Sequence, residues 1–186
     1  MYKLCKTEQS SNRQRELEQG LLVAMSACQY DEISISELCE RMQIPRKSFY
    51  RYFTGKDGAL HALIDHTMMQ YELKNLGIDG RMTPSVQKEL EHFFAFWKEQ
   101  KLLLDALEKS RLSGVLIERA IQYALTDGDI RKPNVLQSNA GDREYAIMFA
   151  VCGLMTMMVR WHHDGYLTPA SQMAAVAARI LTKPLF

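Results

Sequence analysis

The sequence predicts an all-α protein. Apolar residues recur at helical spacing along most of the chain, capping and proline start signals open several of these stretches, and no strand-like alternation of useful length interrupts them. The chain has 186 residues and a formal net charge of +1. That length suits a small module joined to a larger one. The balance of charge argues against a polybasic coat on nucleic acid but leaves room for a local basic patch.

Between Arg13 and Tyr30, residues Leu17, Leu21, Ala24 and Cys28 share one helix face. Ser34 and Glu37 form a capping box, and Ile33 and Leu38 are placed for a hydrophobic staple, so a short helix is expected over Ile35–Met42. Pro45 suits the first turn of the next helix, Pro45–Phe53, where its missing N–H would be unpaired anyway. Thr54-Gly55 ends that helix, and Lys56 opens a longer one to about Leu76. After Gly77–Gly80, Thr83-Pro84 starts a helix reaching Gln100 that carries Phe93, Phe94, Phe96 and Trp97. Two more are expected near Leu102–Lys109 and Leu112–Ala124, followed by a loop over Thr126–Gly141. A long apolar helix runs over Asp142–His163 and ends at Asp164-Gly165; Thr168-Pro169 starts the last, to about Leu181.

Several function classes find no support in these residues. The cysteines Cys5, Cys28, Cys39 and Cys152 have neither C-x-x-C nor zinc spacing, which suits a reducing, cytoplasmic setting. The start of the chain turns polar at once, so no signal peptide is expected. The uncharged run Tyr145–Val159 is shorter than the roughly twenty residues a bilayer needs, so a protein-buried helix and no membrane partner are expected. Adjacent His162 and His163 make a poor chelate, and His61 and His66 are off the i, i+4 spacing, so no metal is expected. There is no phosphate-cradling glycine loop, no H-E-x-x-H and no nucleophile elbow, so neither an enzyme nor a cofactor is expected.

The two short helices around Ile35–Met42 and Pro45–Phe53, with a longer helix before them, form a helix-turn-helix pattern. Its core would be Leu38, Ile44, Phe49 and Phe53 over Leu21 and Ala24. Arg46, Lys47 and Ser48 then lie in the first turn of the second helix, where base edges in a major groove are read. Tyr50, Arg51 and Tyr52 follow with donors suited to phosphates, and Lys56 sits at a helix start that attracts anions. No acidic residue occurs from Arg41 to Lys56. The implied partner is a double-stranded DNA operator.

The run Ile35-Ser-Glu-Leu-Cys-Glu-Arg-Met-Gln-Ile-Pro-Arg-Lys-Ser-Phe-Tyr-Arg-Tyr-Phe-Thr-Gly-Lys-Asp-Gly-Ala-Leu60 resembles the TetR family of bacterial regulators, over about residues 11–65. The resemblance implies a DNA-binding domain over 1–58 and a dimerisation and ligand-sensing domain over 59–186. It places Ser36, Arg46, Lys47 and Ser48 near bases, and Tyr50, Tyr52 and Lys56 on phosphates. The chain departs from the family at Gln43, where glycine is frequent, and at Lys47, where a small residue is frequent.

Beyond that run, Asp142–His163 is apolar nearly all round and so must be covered on two sides. The small stripe Ala146, Ala150, Gly153 and Met157 is the expected seam of a homodimer, with the alanine-rich last helix (Ala174, Ala177) packed on the same seam. The resemblance implies the same pair of C-terminal helices. The bulkier stripe of Ile147, Met148, Val151, Met155 and Met158 would face the subunit core. Phe93, Phe96, Trp97, Tyr123, Met148, Met155 and Trp161 are candidates to line a pocket for an apolar or aromatic effector, with plain core as their other reading. The function expected is a homodimeric repressor released by a small molecule. An activator or architectural DNA-binding protein without such a ligand, and a helical protein-binding dimer, stay open as alternatives.

Overall fold

Thr7 accepts a hydrogen bond from the Ser10 N–H and so caps helix α1, Glu8–Ala27. The computed structural model describes residues 1–76, 85–126 and 140–182. Among these it has nine α-helices and, in place of any strand, an isolated antiparallel bridge between Tyr2 and Phe53. A 3-10 turn over Tyr30–Glu32 follows α1, which ends three residues before the expected Tyr30.

Helix α2 spans Ile35–Arg41 behind the expected capping box. Ser34 Oγ accepts from the Glu37 N–H at 3.1 Å, and the Glu37 carboxylate accepts from the Ser34 N–H at 3.3 Å. Ser34→Ala should therefore cost about 1 kcal/mol, seen as a lower urea midpoint with an unchanged slope. An unmoved midpoint would mean the cap is idle. Gln43 closes α2 with a positive φ of 53°, a left-handed conformation costing a non-glycine residue roughly 1–2 kcal/mol. The turn is thus made by a strained glutamine. Helix α3, Arg46–Tyr50, starts one residue later than expected, with Pro45 as its cap and the Pro45 carbonyl accepting from the Ser48 N–H at 2.8 Å.

Helix α4, Lys56–Leu76, runs through the middle of the chain. Ala59, Leu60, Ala62, Leu63 and Ile64 are all buried, because α1 covers one side and α7 another. Its buried residues Asp65 and His66 are paired. Asp65 meets the Arg119 guanidinium and accepts from the Tyr2 hydroxyl at 2.8 Å, while His66 Nδ1 lies 2.9 Å from Glu18 Oε2 on α1.

Ser85 caps α5, Val86–Glu99, by accepting from the Lys88 N–H. The expected break at Gly77–Gly80 and start at Thr83-Pro84 lie outside the described residues. Helices α6, Lys101–Lys109, and α7, Ser113–Thr126, come next. Of the expected loop Thr126–Gly141, Thr126 belongs to α7 and Ala140 opens α8, Ala140–His163; residues 127–139 lie outside the description. Gly165, at a φ of +68°, turns the chain after α8 as expected, and α9 covers Ala170–Thr182. Helix α9 lies along α5, and α8 along α7.

Candidate nucleic-acid interface

Leu38, Ile44, Phe49 and Phe53 are buried with Leu21 and Ala24, as the helix-turn-helix pattern requires. The rings of Phe49 and Phe53 lie 5.1 Å apart between centroids. This packing fixes the roll of the short α3 and leaves its other side to solvent. Arg46, Lys47, Tyr50 and Arg51 are exposed there, Ser48 is half-buried, and Ser36 is exposed on α2.

This stretch carries charge of one sign, with no acidic residue from Arg41 to Lys56. Arg13, Lys74, Lys101 and Arg160 each hold a carboxylate. Among the described residues, no carboxylate pairs with Arg46, Lys47 or Arg51. These cations are hydrated and available to an anion.

Two expected phosphate donors are placed otherwise. Tyr52 is only 7% exposed, its ring tilted against Phe53 because the last turn carries it inward. It borders an open groove shared with Arg51, Thr7, Ser10 and Arg13. The Lys56 ammonium turns back into the protein and donates to the carbonyls of Tyr30 (2.5 Å) and Ile33 (2.9 Å). Arg51 is the better placed cation. Its exposure follows from its position beside the buried pair Tyr52-Phe53, a signal already present in the sequence.

The C-terminal candidates divide. Phe93, Phe96 and Trp97 form one aromatic cluster that Phe94 extends to Trp161, with Met155 also buried. The Trp161 indole N–H donates to the Thr168 carbonyl at 2.7 Å, so its polar edge is already used. Tyr123, half-buried on α7, donates to Glu72 at 2.5 Å. Met148 is 37% exposed on the outer side of α8 and cannot line an interior pocket with the others. The groove beside α3 and a small crevice at Ala24, Cys28 and Leu38 include none of these seven residues.

The residues of the expected dimer seam are also placed unevenly. Ala174 and Ala177 are fully buried within the chain, because their small side chains let α9 approach the bulky α5 closely. Ala146, Ala150 and Met157 are half-buried along the flank of α8; Gly153 is exposed. The outward stripe is Tyr145 (75% exposed), Phe149 (69%), Cys152, Gly153 and Thr156. By length and composition Asp142–His163 could cross a membrane. In this fold its opposite face is packed, burying Met155, Met158, Trp161 and His162.

No protein-family model matches the sequence, and no curated protein matches it either. Solved structures do. A TetR-family transcriptional regulator from Streptomyces coelicolor superposes with a TM-score of 0.55 at 18% identity, covering 92% of this chain and 79% of its own. The fatty acid degradation regulator FadR from Bacillus halodurans gives 0.60 at 12% identity, covering 98% of both chains. The dihydroxyacetone kinase operon activator DhaS gives 0.50 at 12% identity, covering 91% of this chain and 93% of its own. At these identities the likeness establishes the fold. The chain has the TetR-type all-α architecture with an N-terminal helix-turn-helix.

Proposed function

We propose that this chain is a sequence-specific DNA-binding transcription regulator that works as a homodimer in the cytoplasm, with residues 1–58 as the reading head and 59–186 as the body. The observation that carries this reading is the exposed face of α3, where Arg46, Lys47 and Arg51 have no carboxylate partner among the described residues. Arg46 is suited to a guanine edge, Lys47 and Ser48 to neighbouring base edges, and Tyr50 and Arg51 to phosphates; Ser36 approaches the same groove from α2. A second copy covering Tyr145 and Phe149 of α8 would supply the other reading head, since a large exposed apolar stripe marks an association surface. The names of the three structural neighbours support the regulator reading.

We read the protein as a repressor released by an apolar or aromatic small molecule. Such an effector acts only through unequal affinity for two arrangements of the chain. Because the aromatic cluster around Trp97 fills its own interior, the bound arrangement must open α5 from α8 or α9. One neighbour is by name an activator, which favours activation as the second reading.

Anisotropy titrations of labelled mixed-sequence duplex against salt test DNA binding itself. Affinity should fall linearly in log–log form, with a slope near −0.9 per phosphate contact. Affinity that is absent, or indifferent to salt, defeats the reading. On a preferred sequence, Arg46→Ala should cost about 1–3 kcal/mol and relax the base preference at one position. Equal weakening on every sequence would place Arg46 on phosphate instead.

A further inference from the structure

We infer that Lys56 is a positioning residue, which sets the angle of the reading head through the 3-10 turn ahead of α2 and does not touch DNA. This inference rests on the DNA-binding reading above. Lys56 is the first residue of α4, and its ammonium meets that turn at both ends. It donates to the carbonyl of Tyr30 at 2.5 Å and to the carbonyl of Ile33 at 2.9 Å. It also lies 4.2 Å from the centroid of the Tyr30 ring, so the cation faces two carbonyl dipoles and an aromatic π face. Two of the three N–H donors of the ammonium are thereby held by carbonyls of the turn.

The turn it grips is anchored on every side. The buried Tyr30 hydroxyl donates to Asp57 Oδ1 at 2.6 Å, giving the turn a second tie to α4. Its backbone N–H donates to Ser110 Oγ at 3.0 Å, at the end of α6. Lys109 beside it donates to the Ser26 carbonyl at 3.1 Å, on the last turn of α1. Ile33 directly precedes Ser34, the cap of α2, and α2 carries α3 across the Gln43 turn. Lys56 therefore joins α4 to the root of the α2–α3 pair. Releasing its two carbonyls leaves Asp57 and Ser110 as the ties of the turn and loosens that pair on α4, without removing any of the cations that face solvent on α3.

A lysine that positions and a lysine that holds phosphate predict different salt behaviour. Lys56→Met keeps the apolar stem against Tyr30 and removes only the ammonium. On a duplex that the wild-type protein enriches from a random pool, at a temperature where the variant is fully folded, affinity should fall by about tenfold, the effect of leaving about a tenth of the heads at the binding angle. The log–log salt slope should be unchanged. A slope reduced by about 1 would assign Lys56 to a phosphate and overturn the inference. Unchanged affinity of the folded variant would reduce Lys56 to a purely structural role and overturn it too.

Amine acetylation read by mass spectrometry gives a second measurement, on the unaltered protein. Lys56 should be slow to react in the free protein and no slower on DNA, whereas the exposed Lys47 should react freely until DNA covers it. Protection of Lys56 that arises only on DNA would contradict the inference, whatever the variant does. The free-protein arm needs no DNA, so fast acetylation there disproves the clamp separately from any failure of DNA binding.

Discussion

Phe149→Asp should turn the proposed dimer into a monomer that folds normally. In the single chain Phe149 is 69% exposed, so its replacement removes no packing from the subunit core and should leave helicity and the unfolding midpoint of the monomer unaltered. In the assembly, the same substitution removes an aromatic anchor and sets a carboxylate where Tyr145, Cys152 and Thr156 would meet the partner. An aromatic anchor at the centre of an interface is worth about 2 kcal/mol or more, and a two-fold axis counts every change twice. The dimer dissociation constant should therefore rise by at least about a thousandfold. Sedimentation equilibrium checks this directly, and DNA affinity should fall with it because one reading head grips a single half-site. A dimer of undiminished strength would move the seam off this face of α8. Gly153→Leu probes the same outward stripe, since an added side chain at Gly153 meets nothing within 4 Å in the single chain and would be felt only by a partner.

The second large effect belongs to Trp97→Ala. Trp97 is 1% exposed and packs edge-on against both Phe93 and Phe96, in the layer that α5 shares with α9 and α8. Truncating it leaves a cavity in a region with no spare side chain to fill it, which costs about 3–5 kcal/mol. For a chain of this size that is a large part of the total stability of roughly 5–15 kcal/mol. Chemical denaturation should show the midpoint falling with the slope unchanged, while the folded fraction still binds DNA through the distant α3. If Trp97→Ala were instead nearly neutral for stability and altered only the response to a small molecule, the cluster would be a pocket wall that tolerates empty space.

These two residues also show what the sequence could and could not say. The helices themselves were legible because their signals are local. The capping box at Ser34 and Glu37, the Pro45 start and the Thr54-Gly55 break act within a few residues, and the structure places α2, α3 and α4 within two or three residues of those marks. The outward side of α3 was legible in part for the same reason: buried Phe49 and Phe53 leave Arg46, Lys47, Tyr50 and Arg51 exposed, while Tyr52, expected outward, turns inward.

Periodicity failed where both sides of a helix are apolar. In α8 the stripes through Ala146 and through Tyr145 and Phe149 are equally plausible faces, and only the position of α7 decides between them. Ala174 and Ala177 permit close approach to any helix, and nothing local indicates that α5 is the one. The Phe93, Phe96 and Trp97 run is apolar enough for a pocket wall or for core; the distinction lies in what α8 and α9 place against it. The direction of Lys56 depends on the carbonyls of Tyr30 and Ile33, about two dozen positions earlier, which α1 and the 3-10 turn bring back beneath α4.

The measurement that tests the central claim most directly is selection of bound duplexes from a random DNA library by the full chain. The account predicts one enriched motif made of two inverted half-sites. Their centres should be separated by one helical turn, roughly 34–36 Å, or by a multiple of it, because two copies of α3 related by a two-fold axis must enter the major groove on one face of the duplex. The positions read by Arg46 should favour guanine. A library that emerges from selection unenriched, with binding that tracks only salt and duplex length, would contradict sequence-specific recognition and leave the exposed cations of α3 without the role assigned to them.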